Sequence, residues 1–122
     1  SYNANPASMA ASLAVLGSAP AARRIAVLGA MKELGEHGPG FHAGLAPAVT
    51  GAGVSHAILV GKEMAPLADA LRKQVRVEHV DSAEQAKAAT DALLADGDVL
   101  LVKGSNSVGL GKVVAHLVGG DA

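Results

Sequence analysis

Four short runs constrain this chain more than any other feature: Arg24-Ile25-Ala26-Val27-Leu28-Gly29, His56-Ala57-Ile58-Leu59-Val60-Gly61, Val75-Arg76-Val77-Glu78-His79-Val80 and Asp98-Val99-Leu100-Leu101-Val102-Lys103-Gly104. The first is almost wholly apolar and closed by glycine, the pattern of a strand covered on both faces. Such strands belong to parallel sheets. Helical stretches alternate with them: Pro6 to about Leu16, Phe41 to about Thr50, Met64 to Lys73, Ala83 to Leu94, and about Gly111 to Leu117. Alternation of this kind predicts an α/β fold, a three-layer Rossmann-like and mostly parallel sheet with helices on both faces.

Local signals mark several boundaries. Asn5-Pro6 starts the first helix, because Asn caps free amides and Pro fits a first turn where its missing N–H costs nothing. Met9, Leu13 and Leu16 then form one apolar stripe. Asp81 or Ser82, with Glu84 or Gln85 three residues on, predicts a capping box before the fourth helix. Pro47 should kink or shorten the second helix.

Composition narrows the function. The chain has 122 residues and no Cys, one Phe and one Tyr, and a formal charge of −1. Without a cationic surface or stacking rings, nucleic acid is an unexpected partner. The core must be Ala, Val and Leu, and every apolar run is broken well short of the ~20 residues needed to span a membrane. No linker or repeat divides the chain, so residues 1–122 are read as one domain.

In an open parallel sheet, ligands bind beyond the carboxyl ends of the strands. Three loops reach that place: Ser1 to Pro6, Gly29 to Pro39, and Lys103 to Gly111. The last follows a strand but is no Walker loop, since Leu110 stands where Lys should follow Gly109. Lys103 and Ser105 can still bind a carboxylate or phosphate through an ammonium, a hydroxyl and free amides. Lys32, Glu33 and Glu36 sit in a Gly-bounded loop. The five histidines are scattered, which leaves no metal site expected; His42, just after the second loop, is read either as part of the ligand face or as a helix-capping or surface residue. No nucleophile elbow or paired carboxylates suggest a self-contained catalytic centre.

Taken together, three segments resemble the C-terminal domain of the Mur ligase family: Ser1-Tyr2-Asn3-Ala4-Asn5-Pro6-Ala7-Ser8-Met9, then Ala26-Val27-Leu28-Gly29-Ala30-Met31-Lys32-Glu33-Leu34-Gly35-Glu36 with His42 beyond, then Val99-Leu100-Leu101-Val102-Lys103-Gly104-Ser105. The resemblance implies an ATP-dependent, amide-forming enzyme of cytoplasmic peptidoglycan-precursor synthesis, built from three domains of which this is the last. The N-terminal and central domains, the latter holding ATP and Mg²⁺, would lie outside the chain, leaving this domain inactive alone. It implies UDP-N-acetylmuramoyl-tripeptide as one substrate and D-alanyl-D-alanine as the incoming amine. On the matched positions, Asn3 and Asn5 lie near the nucleotide, while Lys103, Ser105 and Asn106 serve the dipeptide carboxylate. Lys32, Glu33, Glu36 and His42 order a loop or join the site. Many relatives carry Asp where this sequence has Ala30, and often Arg at the Asn106 position. The alternative is a free-standing Rossmann-like module that binds a nucleotide or amino acid without catalysis.

Overall fold

The computed structural model describes residues 6–31, 38–104 and, for the backbone alone, 114–117. The first helix, α1 (Pro6–Ser18), buries Met9, Leu13 and Leu16, the stripe that the spacing requires. A short turn leads into β1 (Arg23–Gly29). Two short helices follow, α2 (Gly38–Ala43) and α3 (Ala46–Gly51). The single helix predicted over Phe41–Thr50 is thus broken at Gly44 and Leu45. Pro47 falls in the first turn of α3, where its lack of an N–H removes no bond. Next come β2 (His56–Val60), a 3-10 turn (Lys62–Met64), α4 (Ala65–Leu71), β3 (Arg76–Val80), α5 (Ala83–Leu93) and β4 (Asp98–Lys103).

The capping box predicted before α5 forms with Ser82 and Gln85. The Ser82 hydroxyl accepts from the Gln85 amide at 3.1 Å, and the Gln85 side chain accepts from the Asp81 amide at 2.7 Å. Gly97, with φ of 90°, makes the sharp turn into β4, a conformation that side chains resist.

The sheet order is β3-β2-β1-β4-β5, with the first four strands parallel. The last strand, β5 (Val114–Leu117), pairs antiparallel with β4 in the register Val102↔Val114. A helix was predicted over Gly111–Leu117, and the structure places a strand in it. Valine stiffness at χ1 favours extended backbone, and a stretch introduced by Gly109 and Gly111 has no N-cap to nucleate a helix.

Pleating divides the strands between two cores. Ala26, Leu28, Ala57, Leu59, Val99 and Leu101 face α1, α3 and α4 in the larger one. Ile25, Val27, Ile58, Val60 and Leu100 meet Ala86 of α5 in the smaller one. This is a three-layer α/β domain with helices on both faces. The chain winds outward from β1 through β2 to β3, then crosses under α5 to re-enter beside β1. The winding direction therefore reverses between β1 and β4.

Candidate functional site

In open α/β sheets the ligand crevice lies where the winding reverses, and here that place falls between the carboxyl ends of β1 and β4. Leu28 is the register partner of Lys103, so Gly29 and Gly104 leave the sheet side by side. Ala30, Met31 and Gly104 are buried there. Small residues at this edge keep backbone amides close to anything that enters the crevice. By alternation along β4, Lys103 lies on the face of Val99 and Leu101, the one that carries α1, and it is half-buried. Among the described residues it makes no ion pair.

The start of α1 reaches the same end. The 13-residue helix is joined to β1 through residues 19–22. Arg24 clamps its last turn, donating to the carbonyls of Leu16 at 3.1 Å and Ala19 at 2.8 Å. A helix of that length runs back about 20 Å, nearly the ~23 Å span of a seven-residue strand. Pro6 therefore lies level with the strand ends.

His42 is the second predicted residue that the structure describes. It is 3% exposed, and both ring nitrogens are engaged. Nε2 is 2.9 Å from the Met31 amide, just beyond β1, while Nδ1 is 2.7 Å from the Gly38 carbonyl at the start of α2. An amide can only donate and a carbonyl can only accept. The imidazole is therefore the neutral Nδ1–H tautomer, with the Nε2 lone pair turned to Met31. Buried and doubly bonded, His42 links the two ends of the β1–α2 connection and offers no free nitrogen to a ligand. The sequence pointed to His42, yet its partners are backbone atoms of Met31 and Gly38 that no side-chain motif could have named.

Asn3, Asn5, Lys32, Glu33, Glu36, Ser105 and Asn106 lie outside the described residues. Among the described residues, no three His, Asp or Glu side chains gather as metal ligands. None of their helices is long and apolar enough to cross a membrane.

The opposite end of the same strand pair is closed by charge. Arg23 and Asp98 are register partners. Their guanidinium and carboxylate meet in a fork, Nε to Oδ1 at 2.8 Å and Nη2 to Oδ2 at 2.6 Å. Asp98, 1% exposed, also accepts from the Ala95 amide at 2.9 Å, and Arg23 donates to the Leu93 carbonyl at 2.8 Å. Bonding to Arg23 holds the Asp98 carboxyl below its ordinary range, and burial opposes this only in part. Nearby, His56 is pushed down from its usual value by partial burial first, then by the Arg23 and Arg76 charges.

Comparison with known proteins gives these positions a setting. Residues 1–106 match the family model described as Mur ligase, glutamate ligase domain. A UDP-N-acetylmuramoyl-tripeptide–D-alanyl-D-alanine ligase of Synechocystis sp. is 42% identical over 120 residues, which is 96% of this chain and 26% of that protein. The like-named protein of Rickettsia prowazekii is 32% identical over 94% of this chain and 26% of its own length. The crystal structure of MurF ligase from Thermotoga maritima in complex with ADP superposes with a TM-score of 0.71 at 27% identity, covering 88% of this chain and 24% of that one. The chain thus spans about a quarter of the length of the curated relatives it matches.

Proposed function

The chain belongs to the Mur ligase family, and from that premise we propose that it is the closing, amine-presenting domain of an ATP-dependent ligase. The reaction would join D-alanyl-D-alanine to UDP-N-acetylmuramoyl-tripeptide, as the names of the relatives describe for them. ATP and Mg²⁺ are assigned to other domains, and the work is placed in the cytoplasm, where peptidoglycan precursors are made. The tripeptide carboxylate takes the terminal phosphoryl group of ATP to give an acyl phosphate. The dipeptide amine attacks its carbonyl carbon, and phosphate departs with the C–O bond.

This domain would contribute geometry. Lys103, with Ser105 and Asn106 following it, is assigned to the dipeptide carboxylate, which points the amine at the acyl phosphate. Asn3 and Asn5, just before α1, are assigned to the nucleotide side of the crevice. Lys32, Glu33 and Glu36, in the β1–α2 connection, are assigned to ordering that loop or to joining the site. Fixing the amine can remove up to about 7–11 kcal/mol from a bimolecular barrier. Closure would also exclude water that hydrolyses the acyl phosphate.

One observation supports the reading: the winding reverses between β1 and β4, whose ends at Leu28 and Lys103 are register partners, and such a reversal is where open α/β sheets bind ligands. The test is Lys103→Ala in the whole ligase that carries this domain. A lost charge-assisted bond of about 1.5–3 kcal/mol should raise KM for D-alanyl-D-alanine roughly 10- to 100-fold while KM for ATP stays within about twofold. Equal rises for both substrates would remove Lys103 from the dipeptide carboxylate.

A further inference from the structure

His42 does more than fill a gap in the core. We propose that it is a positioning residue for the amine-side site: its imidazole, held as the Nδ1–H tautomer, ties the Met31 amide to the Gly38 carbonyl and so fixes where the β1–α2 connection leaves and rejoins the fold. The inference rests on the ligase reading for its kinetic consequence, but the tether itself stands on geometry.

Three observations support the tether. First, Met31 is the second residue after β1 ends at Gly29, where the ladder no longer supplies its amide with an acceptor. His42 Nε2 supplies it at 2.9 Å. Second, the ring cannot swing away at low cost. Its Nδ1 is bonded at 2.7 Å to the carbonyl four residues earlier in its own helix, and the side chain is 3% exposed. Breaking either bond would strand a polar group away from water. Third, the tether sits at the reversal point, since Gly29 leaves the sheet beside the end of β4. A shift of the β1–α2 junction is therefore a shift of the backbone beside the end of β4, where Lys103 lies.

A purely volume-filling residue would not care which nitrogen carries the proton. A positioning residue of this kind does, because moving the proton to Nε2 would set two donors against each other at Met31. Glutamine and asparagine separate the two bonds. In H42Q the side-chain amide oxygen reaches about as far as Nε2 does and can accept from Met31, whereas the shorter side chain of H42N reaches only the place of Nδ1.

The experiment has two arms. In the 122-residue chain, ¹⁵N correlation of the imidazole should show the proton on Nδ1, and the Met31 amide should exchange slowly in wild type and H42Q but faster in H42N. In the whole ligase, H42N should lower kcat/KM for D-alanyl-D-alanine by about 10- to 100-fold, as a misplacement near 1 Å does, mainly through KM. H42Q should recover most of that loss. A proton on Nε2, or H42N indistinguishable from wild type in both exchange and KM, overturns the proposal. A wild-type ligase that forms no amide with ATP and the dipeptide would instead strike the functional reading and, with it, the kinetic role, while the tautomer and exchange would still decide the tether.

Discussion

The two ends of the β1–β4 pair are built from the same strands and could hardly differ more. At their start, Arg23 and Asp98 face each other in register, and the guanidinium, the carboxylate and the neighbouring backbone groups bond one another. At their finish, the register partners are Leu28 and Lys103, and beyond them come Gly29, Ala30 and Gly104. One end commits its polar groups to the fold. The other keeps side chains small and leaves a cation with no ion pair among the described residues, as a place for binding must. The lesson is a division along a single ladder, with paired charges where the strands begin and small residues beside a lysine at the end proposed for recognition.

The largest effect that can break this division should come from Asp98→Ala. It strands the Ala95 amide and leaves Arg23 without its carboxylate, a loss of about 3 kcal/mol, at the low end for a buried pair because Arg23 is partly solvated. Chemical denaturation should show the midpoint drop, and KM values of the folded whole ligase should not move. A KM change as large as that expected for Lys103→Ala would erase the distinction between the ends. Lys103→Ala should in turn leave the stability within about 0.5 kcal/mol of wild type, as surface substitutions do.

A smaller effect is expected from Gly17→Ala at the same stability-bearing end. A Cβ on Gly17 would lie 3.0 Å from the Ala52 Cα, so α1 and the turn after α3 would have to separate. Overpacking costs about 1–3 kcal/mol, and the gain in helix propensity returns about 1 kcal/mol. A net loss of about 1 kcal/mol in denaturant unfolding, with unchanged kinetics in the whole ligase, sharpens the contrast. A stabilised variant would show that the helices part freely and that this end is not tightly built.

Much of this contrast could be read from the residues, and the unread part has a common cause. β1, β2 and β4 announced themselves through short apolar runs, β3 through valines interrupted by Arg76, Glu78 and His79, and α5 through Ser82 and Gln85, because those signals are local. The strand-end loops followed from the fold class, but the strand order that puts the reversal between β1 and β4 was not legible, because pairing between distant segments sets it. The Arg23–Asp98 fork escaped notice because its partners are 75 residues apart and each sits beside ordinary turn or strand residues. The role of His42 was half legible: its place near the loop was visible, but its partners are a backbone amide and a carbonyl. The break between α2 and α3 was flagged by Pro47, although the turn itself falls at Gly44 and Leu45. Extended backbone at Val114–Leu117 ran against the helical expectation because cross-strand pairing with β4 is a tertiary term that no short window contains.

Acid should reveal the finest difference, because His56 and Asp98, the two groups with lowered values, lie at the start of the strands. His56 has a lowered folded value, so the unfolded chain binds its proton more readily. Stability is therefore full above about pH 6.5, the ordinary histidine value, and declines as pH falls through the lower folded value. Asp98 is depressed in the same sense within the carboxylate range. Its contribution is intact above about pH 4 and is lost below that, as the carboxylate that Arg23 holds becomes protonated. Urea midpoints measured from about pH 8 to about pH 3 should fall in two stages. His56→Gln should flatten the first by a few tenths of a kcal/mol, and Asp98→Asn should flatten the second. Were the acid sensitivity to survive both substitutions, the titrating groups would lie elsewhere, and the charge-closed end of the sheet would no longer account for the pH behaviour of the fold.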